Sequence, residues 1–330
     1  MSESGLVVAV TGPTGTFGHG LMPQLQADDR VTRVVGVARR PFDPAVEGWT
    51  KMEYRQGDVR DQDALADAFA GADVVVHLAF VIVGGNRERT RAVNVEGTLN
   101  AFRAAAAAGA RRFVYASSVA AYGFHRDNPV GMREEWPTRP ADRLFYAQEK
   151  AELEHLLQAE AAAHPGTDLY LLRPPVVLGP HAVGGKAQLP ALVQGLGRRL
   201  VHAAVRNPVP LPVLLPDLEL QLIHEEDVGL ALLQCVVGAG APGAYNIAAD
   251  DVVGLHDVAR ELGLLPLPLP TRPTRSGARL IARAPRLPQV AEWVEAASHP
   301  ALMDTTRART ELGWEPQWSA IEALRDTLRR

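Results

Sequence analysis

Cysteine and lysine are both scarce in this chain: Cys235 is the one cysteine, and Lys51, Lys150 and Lys186 are the three lysines, among 330 residues. A single cysteine excludes an internal disulfide framework. Cys235 lies in the apolar run 232–236 and reads as a small buried residue in a reducing compartment. Charge of one sign is not in excess either. The net charge is −4 and the isoelectric point about 6.2, so the basic footprint that draws a protein to nucleic acid or to an anionic membrane is missing. No apolar run approaches the ~18 residues of a membrane span, and the apolar stretches 209–216 and 264–270 are short and broken by proline. The opening Met1-Ser2-Glu3-Ser4 lacks the basic start of a signal peptide. The expectation is a cytoplasmic protein with no nucleic-acid partner, no membrane partner and no metal.

Alternation is what the chain has instead. Short β-branched runs at 6–11, 33–38, 52–56, 73–78, 112–117 and 168–173 are separated by helical patterns near 16–26, 61–70, 87–108 and 143–163. Val95, Leu99, Phe102 and Ala106 make an apolar stripe on the third of these helices. Strand–helix alternation of this kind specifies an α/β fold, a doubly wound parallel sheet of Rossmann type with right-handed crossovers. After Arg173 the rhythm changes to dense proline and glycine with short helices, predicting a smaller, mainly helical C-terminal substrate lobe. The expected division is 1–175 for the dinucleotide-binding domain, with 219–248 returning to it through strands at 219–224 and 243–247. Residues 176–218 and 249–330 are expected to form the lobe. No internal repeat is present.

Two segments carry chemistry. Thr11-Gly12-Pro13-Thr14-Gly15-Thr16-Phe17-Gly18 follows a predicted strand and opens a predicted helix. Glycines there permit a tight turn and close backbone approach, while the helix amino terminus offers free N–H groups to a pyrophosphate. Pro23 removes one hydrogen bond from that helix and is expected to kink it. At the end of the second strand, where an acid would bind the ribose 2′-hydroxyl of NAD, stands Ala38 followed by Arg39 and Arg40. Two guanidinium groups suit a 2′-phosphate, which favours NADP over NAD; the alternative is that both arginines are solvated surface charges. Asp58, in Gly57-Asp58-Val59 after the third strand, is placed to accept from the adenine amino group.

The second segment is Tyr146-Ala147-Gln148-Glu149-Lys150, with a phenol and an ammonium one helical turn apart. A free phenol titrates near 10, and a nearby ammonium favours the phenolate. In a chain with three lysines, one placed four residues after Tyr146 is unlikely decoration. Ser118, at the end of the fifth strand, is positioned to hydrogen-bond a substrate oxygen.

These motifs resemble those of the extended short-chain dehydrogenase/reductase family, also called the NAD-dependent epimerase/dehydratase family, over nearly the whole chain. Further matching blocks are 73–79, Asn94-Val95-Glu96-Gly97-Thr98, Ser117-Ser118 with Tyr122-Gly123, Leu172-Arg173-Pro174, 224–228 and 311–316. The resemblance implies Ser118, Tyr146 and Lys150 as the catalytic set, with Lys150 also reaching the nicotinamide ribose. It implies Gly12, Thr14, Gly15, Thr16, Phe17 and Gly18 at the pyrophosphate, and Arg39, Arg40, Asp58 and Val59 at the adenosine. Leu78, Ala79 and Phe80, with Tyr146, Lys150, Pro174 and Val176, would line the nicotinamide half. Asn94 is expected to brace its helix, His77 and His224 to be structural, and Asp227 to cap the helix that follows it. The family often dimerises through its two long helices, here 87–108 and 143–163, so a homodimer is an expected partner.

Members acting on nucleotide-sugars usually carry an arginine where this chain has Leu220, and the flanking stretches 80–85 and 208–216 are apolar. A doubly charged diphosphate is costly to bind without fixed cations. The expectation is an NADP(H)-dependent ketoreductase, or the reverse secondary alcohol dehydrogenase, acting on a largely hydrophobic small molecule. The alternatives are a nucleotide-sugar epimerase or dehydratase that recycles its own hydride, with Arg198, Arg199 or Arg206 meeting the diphosphate, and a non-catalytic cofactor sensor.

Overall fold

The computed structural model describes residues 5–82, 86–182, 210–268 and 299–329. In chain order its strands are Leu6–Thr11 (β1), Val31–Ala38 (β2), Met52–Gln56 (β3), Val74–His77 (β4), Arg112–Ala116 (β5), Asp168–Arg173 (β6), Val176–Leu178 (β7), Leu211–Leu215 (β8), Glu219–His224 (β9), Gly243–Asn246 (β10), Val252–Gly254 (β11) and Leu264–Pro268 (β12). Its α-helices are Thr16–Ala27 (α1), Gln62–Phe69 (α2), Arg87–Arg91 (α3), Gly97–Ala107 (α4), Phe145–Ala163 (α5), Glu225–Val237 (α6), Leu255–Glu261 (α7), Thr306–Leu312 (α8) and Ala320–Leu328 (α9).

Seven strands form one parallel sheet in the order β10-β6-β5-β4-β1-β2-β3, the doubly wound arrangement. A strand covered on both faces reads as a continuous apolar run, and its alternate side chains divide between the two layers. Val8, Val10, Val74 and Val76 enter one core with Leu21, Met22 and Leu25 of α1 and Val228 and Leu232 of α6. Ala9, Val35, Val37 and Val75 enter the other, with Phe69, Phe102, Leu153 and Leu157 of α2, α4 and α5. Cys235 is buried in the first core.

The helix expected over 87–108 is not uniform: α3 and α4 are joined by a π-helical turn, Ala92–Glu96, that carries Asn94. Pro23 is accommodated inside α1, which runs on to Ala27. Glu219–His224 is a strand, but it does not return to the main sheet. It pairs in parallel with β7 and antiparallel with β11. The cause is Pro174-Pro175 after β6: two consecutive residues without an N–H end the main-sheet ladder and send the chain into a second layer. Around that three-stranded sheet, the two-stranded β8–β12 sheet, α7 and α9 form the described part of the smaller lobe.

Two glycines let α1 and α6 meet closely within one helical layer. A Cβ at Gly20 of α1 would fall 1.9 Å from the Glu225 carbonyl oxygen, and a Cβ at Gly229 of α6 would fall 2.0 Å from that of Gly20. The helices therefore touch backbone to backbone. Gly229→Ala is expected to lower unfolding stability by about 1–3 kcal/mol through overpacking, measured by urea denaturation. Gly166→Ala, where a Cβ meets nothing within 4 Å, is the control. Equal stability of the two variants would refute this account of the α1–α6 contact.

Candidate active site

The turn after β1 is built by glycines with separate tasks. Gly12 has φ +70°, and a Cβ there would sit 2.9 Å from the Ala79 nitrogen; at Gly18 a Cβ would strike the Pro13 carbonyl at 2.0 Å. Gly15 is exposed, and a Cβ there would meet only the Gly12 oxygen at 3.4 Å. It precedes α1 with no side-chain cap and no acid in the first turn. The orphan N–H groups and the positive end of the helix dipole thus open onto free space, a fit for the pyrophosphate of a dinucleotide. Thr14 is exposed beside them, the Thr16 hydroxyl donates to the His181 carbonyl (3.0 Å), and Phe17 packs on the core. The Leu78 N–H donates to the Thr11 carbonyl (3.0 Å) and the Ala79 N–H lies 3.4 Å from the Thr11 hydroxyl, bringing the end of β4 against this turn.

Arg39 and Arg40 project into solvent beyond β2, with no ion pair among the described residues. Asp58 holds Arg60 through both carboxylate oxygens (2.8 and 3.0 Å), and that contact keeps its carboxyl below the usual range. Val59 is buried against Gly97 at the start of α4.

At the carboxyl ends of β5 and β6 lies the proton-transfer set. Ser118 follows β5, and its hydroxyl accepts the Ala120 N–H (3.2 Å) while hydrogen-bonding Tyr146. Pro174 is drawn alongside by accepting the Val119 N–H (2.9 Å), and Val176 packs into the lobe. Burial pushes the Tyr146 phenol up to about 12, opposed by the Ser118 hydrogen bond. Lys150 is 3% exposed. Its ammonium donates to the Tyr115 hydroxyl (2.9 Å) and the Ala116 carbonyl (2.7 Å), and lies 5.9 Å from the centre of the Tyr146 ring. The face of Phe80 covers it at 3.8 Å, and the same ring meets Tyr146 edge-on. Burial brings Lys150 down to about 7, with Glu154 and Glu149 acting in the opposite sense. Lysine next to the phenol does not by itself produce a phenolate here. Burial is the largest influence on both groups, raising the phenol and lowering the ammonium.

A layer of buried polar groups behind this set is not signalled by the motifs. Asn94, in the π-turn, accepts from Val81 N–H (2.8 Å) and donates to the Val81 carbonyl (3.0 Å) and to Glu149 Oε2 (2.8 Å). It therefore fixes the loop after β4 as well as bracing its helix. The other Glu149 oxygen is buried without a hydrogen-bond partner among the described residues, and burial raises that carboxyl. One turn beyond Lys150, Glu154 pairs with Arg173, which also donates to the Tyr122 hydroxyl (2.6 Å). An arginine closing the apolar run of β6 is the one sequence feature that pointed to such a pair, since a charge buried there needs a partner.

His77 is fully buried between the Thr11 and Thr98 hydroxyls (2.8 and 3.0 Å), and burial lowers it to about 3, so it is a neutral structural residue. His224, stacked on Trp318, caps α6 by accepting the Glu226 N–H (3.3 Å). Asp227 does not cap that helix. It lies inside the first turn, and its carboxylate binds the Gln317 and Trp318 N–H groups (2.8 and 3.2 Å), the turn that leads into α9. Leu220 packs into the lobe's own apolar clusters, as do Val213, Leu215 and Leu218 nearby. Arg198, Arg199 and Arg206 lie outside the described residues, as do 83–85 of the loop after β4. Among the described residues no cluster of potential metal ligands occurs and no helix is long and apolar enough to cross a membrane.

A family model described as the NAD dependent epimerase/dehydratase family matches residues 8–248. An uncharacterized protein of Mycobacterium tuberculosis is 28% identical over 330 residues, covering 98% of this chain and 83% of that protein. The sterol demethylase protein B of Methylococcus capsulatus is 35% identical over 179 residues, 53% of this chain and 52% of that protein. Among solved structures, the UDP-glucose 4-epimerase of Thermotoga maritima with UDP-glucose aligns with a TM-score of 0.73 at 19% identity, over 98% of this chain and 97% of that one, a likeness of fold.

The depressed Lys150 has a direct signature. Because its folded value of about 7 lies below the ~10.4 of an unfolded lysine, the folded chain binds fewer protons between those values, and this group's contribution to stability rises with pH across that window. With three lysines in the chain, carbon-13 lysine NMR identifies Lys150 as the signal lost in Lys150→Met. That signal is expected to titrate near pH 7, ammonium below and amine above. A Lys150 still protonated at about pH 9 would contradict the burial argument.

Proposed function

This chain belongs to the NAD-dependent epimerase/dehydratase family, the extended short-chain dehydrogenase/reductases, and we propose that within it the chain is an NADP(H)-dependent reductase of a ketone on a largely hydrophobic small molecule. It is an NAD(P)-dependent enzyme; the direction, the cofactor preference and the substrate class are the proposal. The observation that carries it is the setting of Tyr146. The phenol is held protonated by burial and hydrogen-bonded to Ser118. The groups packed about it are apolar: Ala120, Ala141, Leu144, Ala147 and Phe124, with Phe80 edge-on.

A reduced nicotinamide, when bound, supplies a hydride. Tyr146 then has the proton that the substrate oxygen needs as charge develops on it, and Ser118 orients that oxygen by a second hydrogen bond. Lys150, with Phe80 over it, is the group expected to hold the nicotinamide ribose. A phenol near 12 keeps its proton at neutral pH and can pass it to a forming alkoxide, the role that carbonyl reduction asks of it.

Val213, Leu215 and Leu218 of the apolar stretch before β9 lie in the core of the smaller lobe, so that stretch carries less weight for the substrate than its sequence suggests. The resemblance to a protein named for sterol demethylation supports a lipophilic substrate. Arg39 and Arg40, exposed and without ion pairs among the described residues, support NADP over NAD.

Reduced-nicotinamide absorbance, followed with NADPH or NADH across lipophilic ketones and nucleotide 4-keto-sugars, tests the proposal. Stoichiometric loss of NADPH with a lipophilic ketone is expected. Tyr146→Phe is expected to lower kcat/KM by about 10²–10⁴ with cofactor affinity nearly unchanged. Full activity in Tyr146→Phe, or a nucleotide-sugar isomerised with no net loss of NADPH, would overturn it.

A further inference from the structure

The hydrogen-bonded ladder between β2 and β3 ends at the pair Ala38–Gln56, with the Gly57 N–H donating to the Ala38 carbonyl (3.0 Å). Beyond a last ladder bond a strand end is ordinarily free to splay. Here three consecutive carbonyls, those of residues 38, 39 and 40, are gripped by two side chains of β3. The Tyr54 hydroxyl lies between the carbonyl oxygens of Ala38 (2.9 Å) and Arg40, and its proton is shared between them. The Gln56 amide donates to the Arg39 carbonyl (3.0 Å). Tyr54 is itself wedged: Phe42 meets its ring edge-on at 5.5 Å and in turn packs on the buried Trp49 at 5.3 Å.

Fixing successive carbonyls fixes the peptide planes between them, and with the planes the direction in which each Cβ leaves the chain. The side chains of Arg39 and Arg40 start from an immobilised backbone although they end in solvent. Neither guanidinium forms an ion pair among the described residues: Asp58, which feels the charge of Arg39, is held through both oxygens by Arg60.

We propose that Tyr54 and Gln56 are positioning residues for cofactor choice: they hold the backbone of Arg39 and Arg40 so that the two guanidinium groups meet a 2′-phosphate without first paying the entropy of ordering the loop. This rests on the reading that Arg39 and Arg40 select NADP. Preorganisation raises affinity by reducing the ordering cost on binding, worth up to about tenfold for one segment of this size. It acts on ligands that carry the 2′-phosphate and leaves those without it unaffected.

The test uses the full chain with the substitutions Tyr54→Phe and Gln56→Ala, singly and together. The probes are adenosine 2′,5′-bisphosphate and ADP, by calorimetry, with NADPH and NADH kinetics alongside once a ketone substrate is in hand. The double variant is expected to weaken the 2′,5′-bisphosphate about three- to tenfold while ADP affinity stays the same. In kinetics KM for NADPH rises, KM for NADH does not, and kcat at saturating cofactor is retained. Equal weakening of both nucleotides would make the pair merely structural and overturn the proposal, as would unchanged binding of both.

Arg39→Ala with Arg40→Ala separates the two layers of inference. If that variant keeps its preference for the 2′-phosphate, the NADP reading itself fails. If it loses the preference while Tyr54→Phe with Gln56→Ala does not, the NADP reading stands and the positioning role falls.

Discussion

The buried ion pair of Arg173 and Glu154 is the contact on which the catalytic end of the molecule depends. Both side chains are essentially inaccessible, at 3% and 0% exposure. Removing two such ions from water is expensive, and only good geometry with further hydrogen bonds offsets the cost. The geometry is good: the guanidinium meets both carboxylate oxygens, and its remaining donor reaches the Tyr122 hydroxyl and the Glu134 carbonyl. Ser117 donates to the same carboxylate from the end of β5. Burial alone would weaken the Arg173 charge, and Glu154 more than restores it. The network then continues from Tyr122 to Asn246 of β10 and from there to the Met132 and Asp304 carbonyls. One buried pair thus registers α5, which carries Tyr146 and Lys150, against three strands of the sheet and the segment before α8.

The same carboxylate shapes the proton chemistry. Lys150 sits one turn before Glu154, and the negative charge of Glu154 partly opposes the loss of solvation that drives the lysine toward neutrality. Glu149 contributes likewise from the other side, held by Asn94 across the π-turn. A π-turn widens the helix locally and is a frequent companion of functional sites. Here it lets one asparagine reach both the loop after β4 and the acid beside Lys150. Burial separates the two titrating partners in opposite directions: the phenol becomes harder to ionise and the ammonium easier to lose. That separation suits a site that donates a proton, and ionisation of Tyr146 would need additional positive charge close to its oxygen.

Much of this was legible from residue order. The six expected strands of the main sheet fall within about two residues of the observed β1 to β6, because strands buried on both faces are continuous β-branched runs bounded by turn residues. The glycine turn was legible because its spacing has a mechanical cause in Gly12 and Gly18. What escaped depends on contacts between distant segments. Gly20 and Gly229 look like ordinary helical glycines until α1 and α6 are placed against one another. The strand character of Glu219–His224 was plain, yet which sheet it joins is decided by the two prolines after Arg173. Leu220 was read only for the cation it lacks, and in the fold it is half-buried against two apolar clusters of the smaller lobe. Asp227 was read from its place at a helix start, whereas its partners lie about ninety residues further on.

The two ends of the proposed cofactor site, nicotinamide and adenosine, pose different physical problems. At the nicotinamide end Ser118 and Lys150 are buried and Tyr146 is half-buried, so desolvation and a few fixed charges govern the phenol and the ammonium. At the adenosine end Arg39 and Arg40 stand in water, where screening makes a flexible cation a weak discriminator. An exposed charge becomes selective when its position is fixed in advance, since the partner then meets a formed pair of donors and not an ensemble. The grip of Tyr54 and Gln56 on three successive carbonyls supplies that fixity from the neighbouring strand, with the aromatic wedge of Phe42 and Trp49 behind it. Rigidity of the backbone does at the solvent rim what burial does at the proton-transfer centre.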